Sequence, residues 1–170
     1  MSSTHVAVDG SGHRELMGSW VTGVSLITAT SADGRPMGCT LNALTSLSLE
    51  PPSVLISLGA DSRTLAALQA SGRFCVNVLA SDQEPISRRF SDKSLTTDER
   101  FAAVDYELKH DVPVLDGCVA TLICDVADTI PVHDHVLVVG TVVLGAIDGE
   151  RHPLVFYGGS YELPKSLPTP

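Results

Sequence analysis

The sequence has little positive charge, no long apolar run and no closely spaced cysteines, and each shortage removes a class of function. Eleven Lys and Arg stand against twenty Asp and Glu, a formal net charge of −9. Such a chain repels a phosphate backbone instead of neutralising it, so nucleic acid is not an expected partner. No apolar stretch reaches the ~18 residues of a membrane span, because Gly, Thr, Ser or Asp interrupts each one, and no membrane association is expected. The N-terminal MSSTHVAVDGSGHRELMG lacks a basic region followed by an apolar one, which predicts a cytoplasmic protein without a secretory signal. The four cysteines, Cys39, Cys75, Cys118 and Cys124, contain no C-x-x-C pair and fit neither a zinc site nor a disulfide framework. They are expected as reduced, mostly buried thiols, with Cys118 and Cys124 facing the same way along one strand-like run. Neither G-x-G-x-x-G nor G-x-x-x-x-G-K-[ST] occurs, so a nucleotide would have to be bound without a Rossmann or P-loop element.

What is present is a chain of 170 residues, 44% hydrophobic and 18% charged, enough to bury one core. Residues 1–12 are polar and Gly-rich and are expected to be disordered, 13–165 to form one domain, and 166–170 a tail. A short helix is expected from His13 to Trp20, then a β-rich run from Val21 to Ala29. Asp33-Gly34-Arg35-Pro36 supplies a turn before a second β-rich run from Met37 to Leu49, which makes a hairpin. Glu50-Pro51-Pro52 ends the pairing, and Ser53 to Leu58 reads as a buried strand. Asp61 or Ser62 can cap a helix from Arg63 to Ala70 with Gly72 as terminator; Phe74 to Leu79 resumes as strand. Ser81-x-x-Glu84 has the form of a capping box for a helix through Ile86 and Phe90, with Pro85 confining helical geometry to the first turn or so. Ser91 to Arg100 reads as a mobile surface loop. Cys118 to Ala127, Val136 to Ile147 and Leu154 to Tyr157 read as strands separated by Pro131 and by Asp148-Gly149. About six or seven strands with only short helices predict an all-β fold, a closed or split antiparallel β-barrel.

From Ser46 to Leu49 polar and apolar residues alternate, Thr45 and Leu44 point to opposite faces as strand neighbours, and one face is rich in hydroxyls. That face suits a solvated exterior, and equally the polar edge of a flat heteroaromatic cofactor. Ser62-Arg63-Thr64 at a helix N-terminus is suited to an anion, and also to simple capping. In His133-Asp134-His135 the two histidines, read as strand, share a face and offer two ligands to a metal; no third donor stands at ligand spacing, and no metal site is expected.

Thr22-Gly23-Val24, Asp33-Gly34, Gly38-x-Thr40-x-Asn42, Ser46-x-Ser48-Leu49-x-Pro51-Pro52, Phe74-x-Val76-Asn77-Val78-Leu79 and Gln83 occur in that order. Asp134-His135, Gly140-x-Val142, Pro153-Leu154 and Tyr157-x-Gly159-x-Tyr161 follow. This set resembles the short-chain flavin reductases of two-component monooxygenases, over nearly the whole chain from Leu16 to Leu163.

The resemblance implies a split-barrel flavin-binding fold, usually a homodimer, that reduces FAD or FMN with NADH, or NADPH, and supplies a partner flavin-dependent monooxygenase. It implies that Met37, Gly38, Cys39, Thr40, Asn42 and Ala43, with Thr45, Ser46, Ser57, Leu58 and Gly59, surround the flavin ring. It implies that Ser62, Arg63 and Thr64 hold phosphate, and that Arg89 and Phe90 add a second flavin contact. His135 is implied beside the nicotinamide as the catalytic residue, with Gly158, Gly159, Ser160 and Tyr161 as further nicotinamide contacts. Relatives usually carry glycine where His133 stands and Gly-Asp-Tyr where Gly159-Ser160-Tyr161 stands. Two other readings remain open from the residues: a non-catalytic flavin-binding or sensor module, and a metal-dependent β-barrel enzyme using His133 and His135.

Overall fold

The computed structural model describes residue 5 and residues 8–162; the expected tail at 166–170 and half of the segment expected to be disordered fall outside them, and Gly10 to Gly12 of that segment are helical. The first element is a helix, α1 (Gly10–Gly18), which opens three residues earlier than the sequence suggests. The cause is Asp9, whose carboxylate accepts from the backbone N–H groups of Ser11 at 3.0 Å and Gly12 at 2.8 Å and so caps a turn built largely of glycine and serine.

The expected strand at 21–29 is divided into β1 (Thr22–Gly23) and β2 (Ser25–Thr30). The turn at Ser31 to Arg35, with Gly34 at a φ of 80°, leads into β3 (Pro36–Leu41), and Ser25 pairs with Leu41 through to Thr30 with Pro36. The single run expected from Met37 to Leu49 breaks at Asn42-Ala43, after which come β4 (Leu44–Leu49) and β5 (Pro52–Gly59). Next is α2 (Arg63–Ser71), where Ser62, not Asp61, caps the start and Gly72, at a φ of 70°, ends the helix. It buries Leu65 and Leu68, each stabilising by roughly 1.5–3 kcal/mol.

After β6 (Arg73–Val78) a 3₁₀ turn at Ser81–Gln83 precedes α3 (Glu84–Ser91). The capping expected of Ser81 is instead supplied by Gln83, whose Oε1 accepts from the Ala80 N–H at 2.9 Å. Pro85 does not shorten α3, because it sits in the first turn, where no helical N–H is needed. The stretch expected as a mobile loop contains α4 (Thr97–Phe101), with Thr97, Arg100 and Phe101 buried. Thr96 and Glu99 cap it reciprocally.

The chain then forms β7 (Tyr106–Lys109), β8 (Val112–Leu115), β9 (Ala120–Val132), β10 (His135–Ile147), β11 (Val155–Tyr157) and β12 (Ser160–Glu162), so the described residues hold twelve strands where the sequence suggests about half as many. Pro131 does not end β9. Beyond Asp128 that strand pairs with β10 alone, so the proline nitrogen faces a side with no ladder to break.

Seven strands form one antiparallel sheet in the order β3-β2-β6-β9-β10-β5-β4. β3 and β4 are consecutive in sequence yet lie at opposite edges. Only Asn42 and Ala43 join them, so the sheet must curl until its two edges meet at that corner. Strands near the middle are buried on both faces. Ile27 of β2 packs with Val54, Ile56, Phe74, Val76, Val138, Leu65 and Leu68 on the inner side. Its neighbour Leu26 points outward to a second cluster with Leu79, Phe90, Phe101, Leu115 and Leu154. Cys124 belongs to the first cluster and Cys118 to the second. They do not share a face as expected, because Cys118 precedes β9 and is outside the strand alternation.

Candidate functional site

Two cavities flank the corner where the sheet edges meet. The first, of about 1090 Å³, lies between β3, the end of β5, the start of α2 and the segment from Phe90 to Arg100. The second, of about 980 Å³, is lined by Met17, Trp20, Val21, Thr22, Asn42, Ala43, Leu44 and Thr45 among others. Ser57 of β5 lines both.

The first cavity gathers Met37, Gly38, Cys39 and Thr40 from β3, Ser57, Leu58 and Gly59 from β5, Ser62, Arg63 and Thr64 at the head of α2, Phe90, and His135. Strand geometry brings the β3 and β5 residues together, since β3 and β5 flank the same corner. Ser62 Oγ accepts from the Leu65 N–H at 3.4 Å, while the first-turn N–H groups of α2 have no carbonyl of their own helix to bond. With Arg63 beside them, they make one wall attractive to an anion. Burial pushes the Cys39 thiol up, so it faces the cavity as a neutral group. Thr40 is held from behind, its hydroxyl donating to Ser87 O at 2.6 Å.

The second cavity takes Asn42, Ala43, Thr45, Ser57 and Gly159. Ser46 is exposed on β4 and lines neither cavity. Arg89 is turned away, its Nη1 donating to Glu99 O at 3.0 Å. Gly158 and Gly159 form the turn between β11 and β12 at φ values of 61° and 81°, a conformation that glycine adopts without strain. Ser160 is exposed in β12. The Tyr161 ring is already engaged: its hydroxyl lies 2.8 Å from Ser87 Oγ, Phe156 packs edge-on, and the Arg88 guanidinium sits 4.8 Å from the ring centroid.

His133 and His135 do not share a strand face. His133 and Asp134 are the two residues of a tight turn, since Val132 pairs with His135 across it, and His133 has a φ of 53°. A turn of this kind is best served by glycine at its first position, which accounts physically for the glycine usual there in the resembling family. His135, the first residue of β10, is half-exposed at the mouth of the first cavity, with Nδ1 2.9 Å from Asp134 Oδ1. That hydrogen bond, foremost, holds the Asp134 carboxyl below the usual carboxylate range, and it leaves Nε2 as the imidazole atom free to meet a ligand. Among the described residues, no three His, Cys, Asp or Glu side chains gather as a metal site would need.

Sequence reading missed one side of the first cavity: Lys93, Ser94, Thr96, Thr97 and Arg100, from the stretch taken for a mobile loop. The signal was available in Thr96-x-x-Glu99, a capping-box spacing that marks a helix start.

The family model described as "Flavin reductase like domain" matches residues 17–163. The reductase subunit of a flavin-dependent monooxygenase from Rhodococcus jostii is 37% identical over 168 residues, covering 96% of this chain and 84% of that protein. A Rhizobium meliloti relative named "Probable flavin reductase" is 36% identical over 153 residues, and the chain spans 48% of its length. Among solved structures, the Streptomyces globisporus NADH:FAD oxidoreductase in complex with NAD and FAD fragments is 31% identical, with a TM-score of 0.87 and 98% of both chains covered. With that model spanning most of the chain and the Rhodococcus relative matched over most of its length, the chain belongs to the flavin reductase-like domain family.

Proposed function

We propose that this chain is a flavin reductase that uses NADH, or less readily NADPH, to reduce free FAD or FMN and supplies the reduced flavin to a flavin-dependent monooxygenase. The observation that carries the reading is the meeting of the two cavities at Ser57: an anion-favouring recess on one side and a largely apolar recess on the other. A flavin nucleotide has the matching halves, a phosphorylated tail and a flat ring with a polar edge. The residues present fit it. Arg100 lines the first cavity and Thr22 the second, and among the described residues the buried Nε of Arg100 and the buried hydroxyl of Thr22 have no hydrogen-bond partner.

In this reading the head of α2, with Ser62, Arg63 and Thr64, holds the phosphate. Backbone and side chains from Met37 to Ala43, with Ser57 to Gly59, border the ring. Bound there, the flavin would supply the hydride-accepting chemistry and the nicotinamide the hydride. The protein's task is to hold two planar rings at reactive distance and keep their phosphates apart from bulk water. His135 orients the nicotinamide or delivers a proton through Nε2, with Asp134 setting its ring orientation through Nδ1. The turn at Gly158-Gly159 lets the nicotinamide approach the backbone. The contacts of Tyr161 and Arg89 with their own chain support indirect roles for both.

The curled sheet is read as the split barrel of the family, and the working unit as a homodimer in the cytoplasm. Large apolar side chains left exposed on β4 and at the end of β10 support the dimer: Leu49 is 85% and Ile147 82% exposed. Oxidation of NADH and of NADPH, each followed with FAD, FMN and no added flavin, tests the function; no turnover in any combination overturns it. His135→Ala is expected to lower turnover more than flavin affinity, and unchanged NADH oxidation removes the catalytic role of His135.

A further inference from the structure

Arg100, from the last turn of α4, is 8% exposed and lines the first cavity. Its Nη1 donates to Gly38 O at 3.4 Å and its Nη2 to Asp92 O, while Nε is buried without an acceptor. Both acceptors are neutral carbonyls. Among the described residues no carboxylate forms an ion pair with this guanidinium. The Asp92 carboxylate is spent on Ser94, accepting from its N–H at 2.8 Å and its hydroxyl at 2.7 Å.

A guanidinium offers five N–H donors in a planar fork and stays charged. Burying it with two neutral acceptors leaves both donors and charge uncompensated, an arrangement that is costly unless a partner arrives. Burial first, and then the nearby Arg63, hold its pKa below the ordinary arginine value, as expected of a cation short of counter-charge. Arg63 and Lys93 line the same cavity, against Asp61 and Asp134 as its acids, and Asp134 is 92% exposed. The head of α2 adds its unpaired N–H groups to the same wall.

We propose that Arg100 is a specificity-determining residue that recognises the phosphate of a flavin nucleotide, and so separates FMN and FAD from riboflavin. This rests on the flavin reading above. A phosphate supplies both the charge and the several acceptor oxygens that the guanidinium lacks, and a bidentate pair is strong and directional. Riboflavin, which ends in a neutral ribityl chain, supplies neither. Because Arg100 also grips the Gly38 carbonyl, the phosphate contact is tied directly to β3, which borders the ring.

The test is equilibrium binding of FMN, FAD and riboflavin to the full chain, read by flavin fluorescence, for the wild type, Arg100→Met, Arg100→Lys and the surface control Arg35→Met. The wild type is expected to bind FMN and FAD more tightly than riboflavin. Arg100→Met is expected to weaken FMN and FAD by about tenfold or more and to leave riboflavin within about twofold. Arg100→Lys keeps the charge without the fork and loses less; Arg35→Met changes none of the three. Equal weakening of all three flavins by Arg100→Met, or no change in any, overturns the assignment. If Arg100→Met does not fold, Arg100→Lys decides it: losses equal for FMN and riboflavin overturn the proposal. Wild-type protein that binds riboflavin as tightly as FMN overturns this proposal alone, whereas wild-type protein that binds no flavin overturns the reading on which it rests.

Discussion

Gly140 of β10 lies against the ring of Phe74 in β6: a β-carbon built on it would fall 2.4 Å from Phe74 Cζ and 2.9 Å from Cys124 Cβ. Phe74 is fully buried in the inner cluster, so neither side can yield cheaply. Gly140→Ala is therefore expected to destabilise the fold by about 1–3 kcal/mol or more through overpacking. Urea denaturation measures it, and pairing the change with Phe74→Leu should recover part of the loss. A purely additive double mutant would show that the two residues do not compete for this space.

Asn77 predicts a second sensitivity. Fully buried, it donates to Leu26 O and to Thr28 Oγ1, each at 3.0 Å, and accepts from the Leu115 N–H at 2.8 Å. One side chain thus ties β6, β2 and β8 together. Asn77→Leu preserves size but strands the Leu115 N–H and takes one donor each from Leu26 O and Thr28 Oγ1, at about 1–3 kcal/mol for the unsatisfied N–H. A fall in the urea midpoint of less than about 1 kcal/mol equivalent would show that these groups find other partners.

His133→Gly is expected to raise stability. The histidine holds a φ of 53°, a region that costs an L-residue roughly 1–2 kcal/mol, and the greater freedom of glycine in the unfolded chain returns about half of that. A net gain of roughly 0.5–1 kcal/mol is expected, while His133→Val should be destabilising. Thermal melts of the three proteins give the ranking directly.

The thiols set an alkaline limit. Burial, chiefly, pushes Cys75 and Cys124 up to about 12 and Cys118 up to about 11, whereas an unfolded thiol titrates near ~8.5. The folded state holds protons that the unfolded chain releases. Stability is therefore fully present below ~8.5 and declines as pH rises through that value toward 11 and 12. Urea midpoints across this range should fall steadily. At pH 8 the native thiols should resist iodoacetamide, with Cys39, the one cysteine not fully buried, reacting first.

Elements set by local chemistry were legible in the chain. Ser62 and Gly72 bracket α2 because a hydroxyl cap and a residue free to adopt a left-handed φ are local requirements. The β-rich runs at Ser53 to Leu58 and Val136 to Ile147 became β5 and β10 for the same reason. The segment with Lys93 and Arg100 was not legible, because its polar surface hides the burial of Thr97, Arg100 and Phe101, which exists only once Phe90 and Tyr106 pack on Phe101. Pro131 misled for a related reason: whether a proline breaks a strand depends on whether a neighbour lies on its nitrogen side.

By itself the sequence determined the β-rich character, the caps and turns, and the likeness to flavin reductases, since these follow from side-chain chemistry within a few residues or from ordered short motifs. Tertiary structure alone decided that β3 and β4 part at Asn42 to opposite edges of one sheet, that Ser57 faces two cavities, and that Arg100 lies buried near Arg63 without an ion-paired carboxylate among the described residues. Those relations join residues far apart in the chain, and only the curling of the sheet, driven by burial on both of its faces, brings them together.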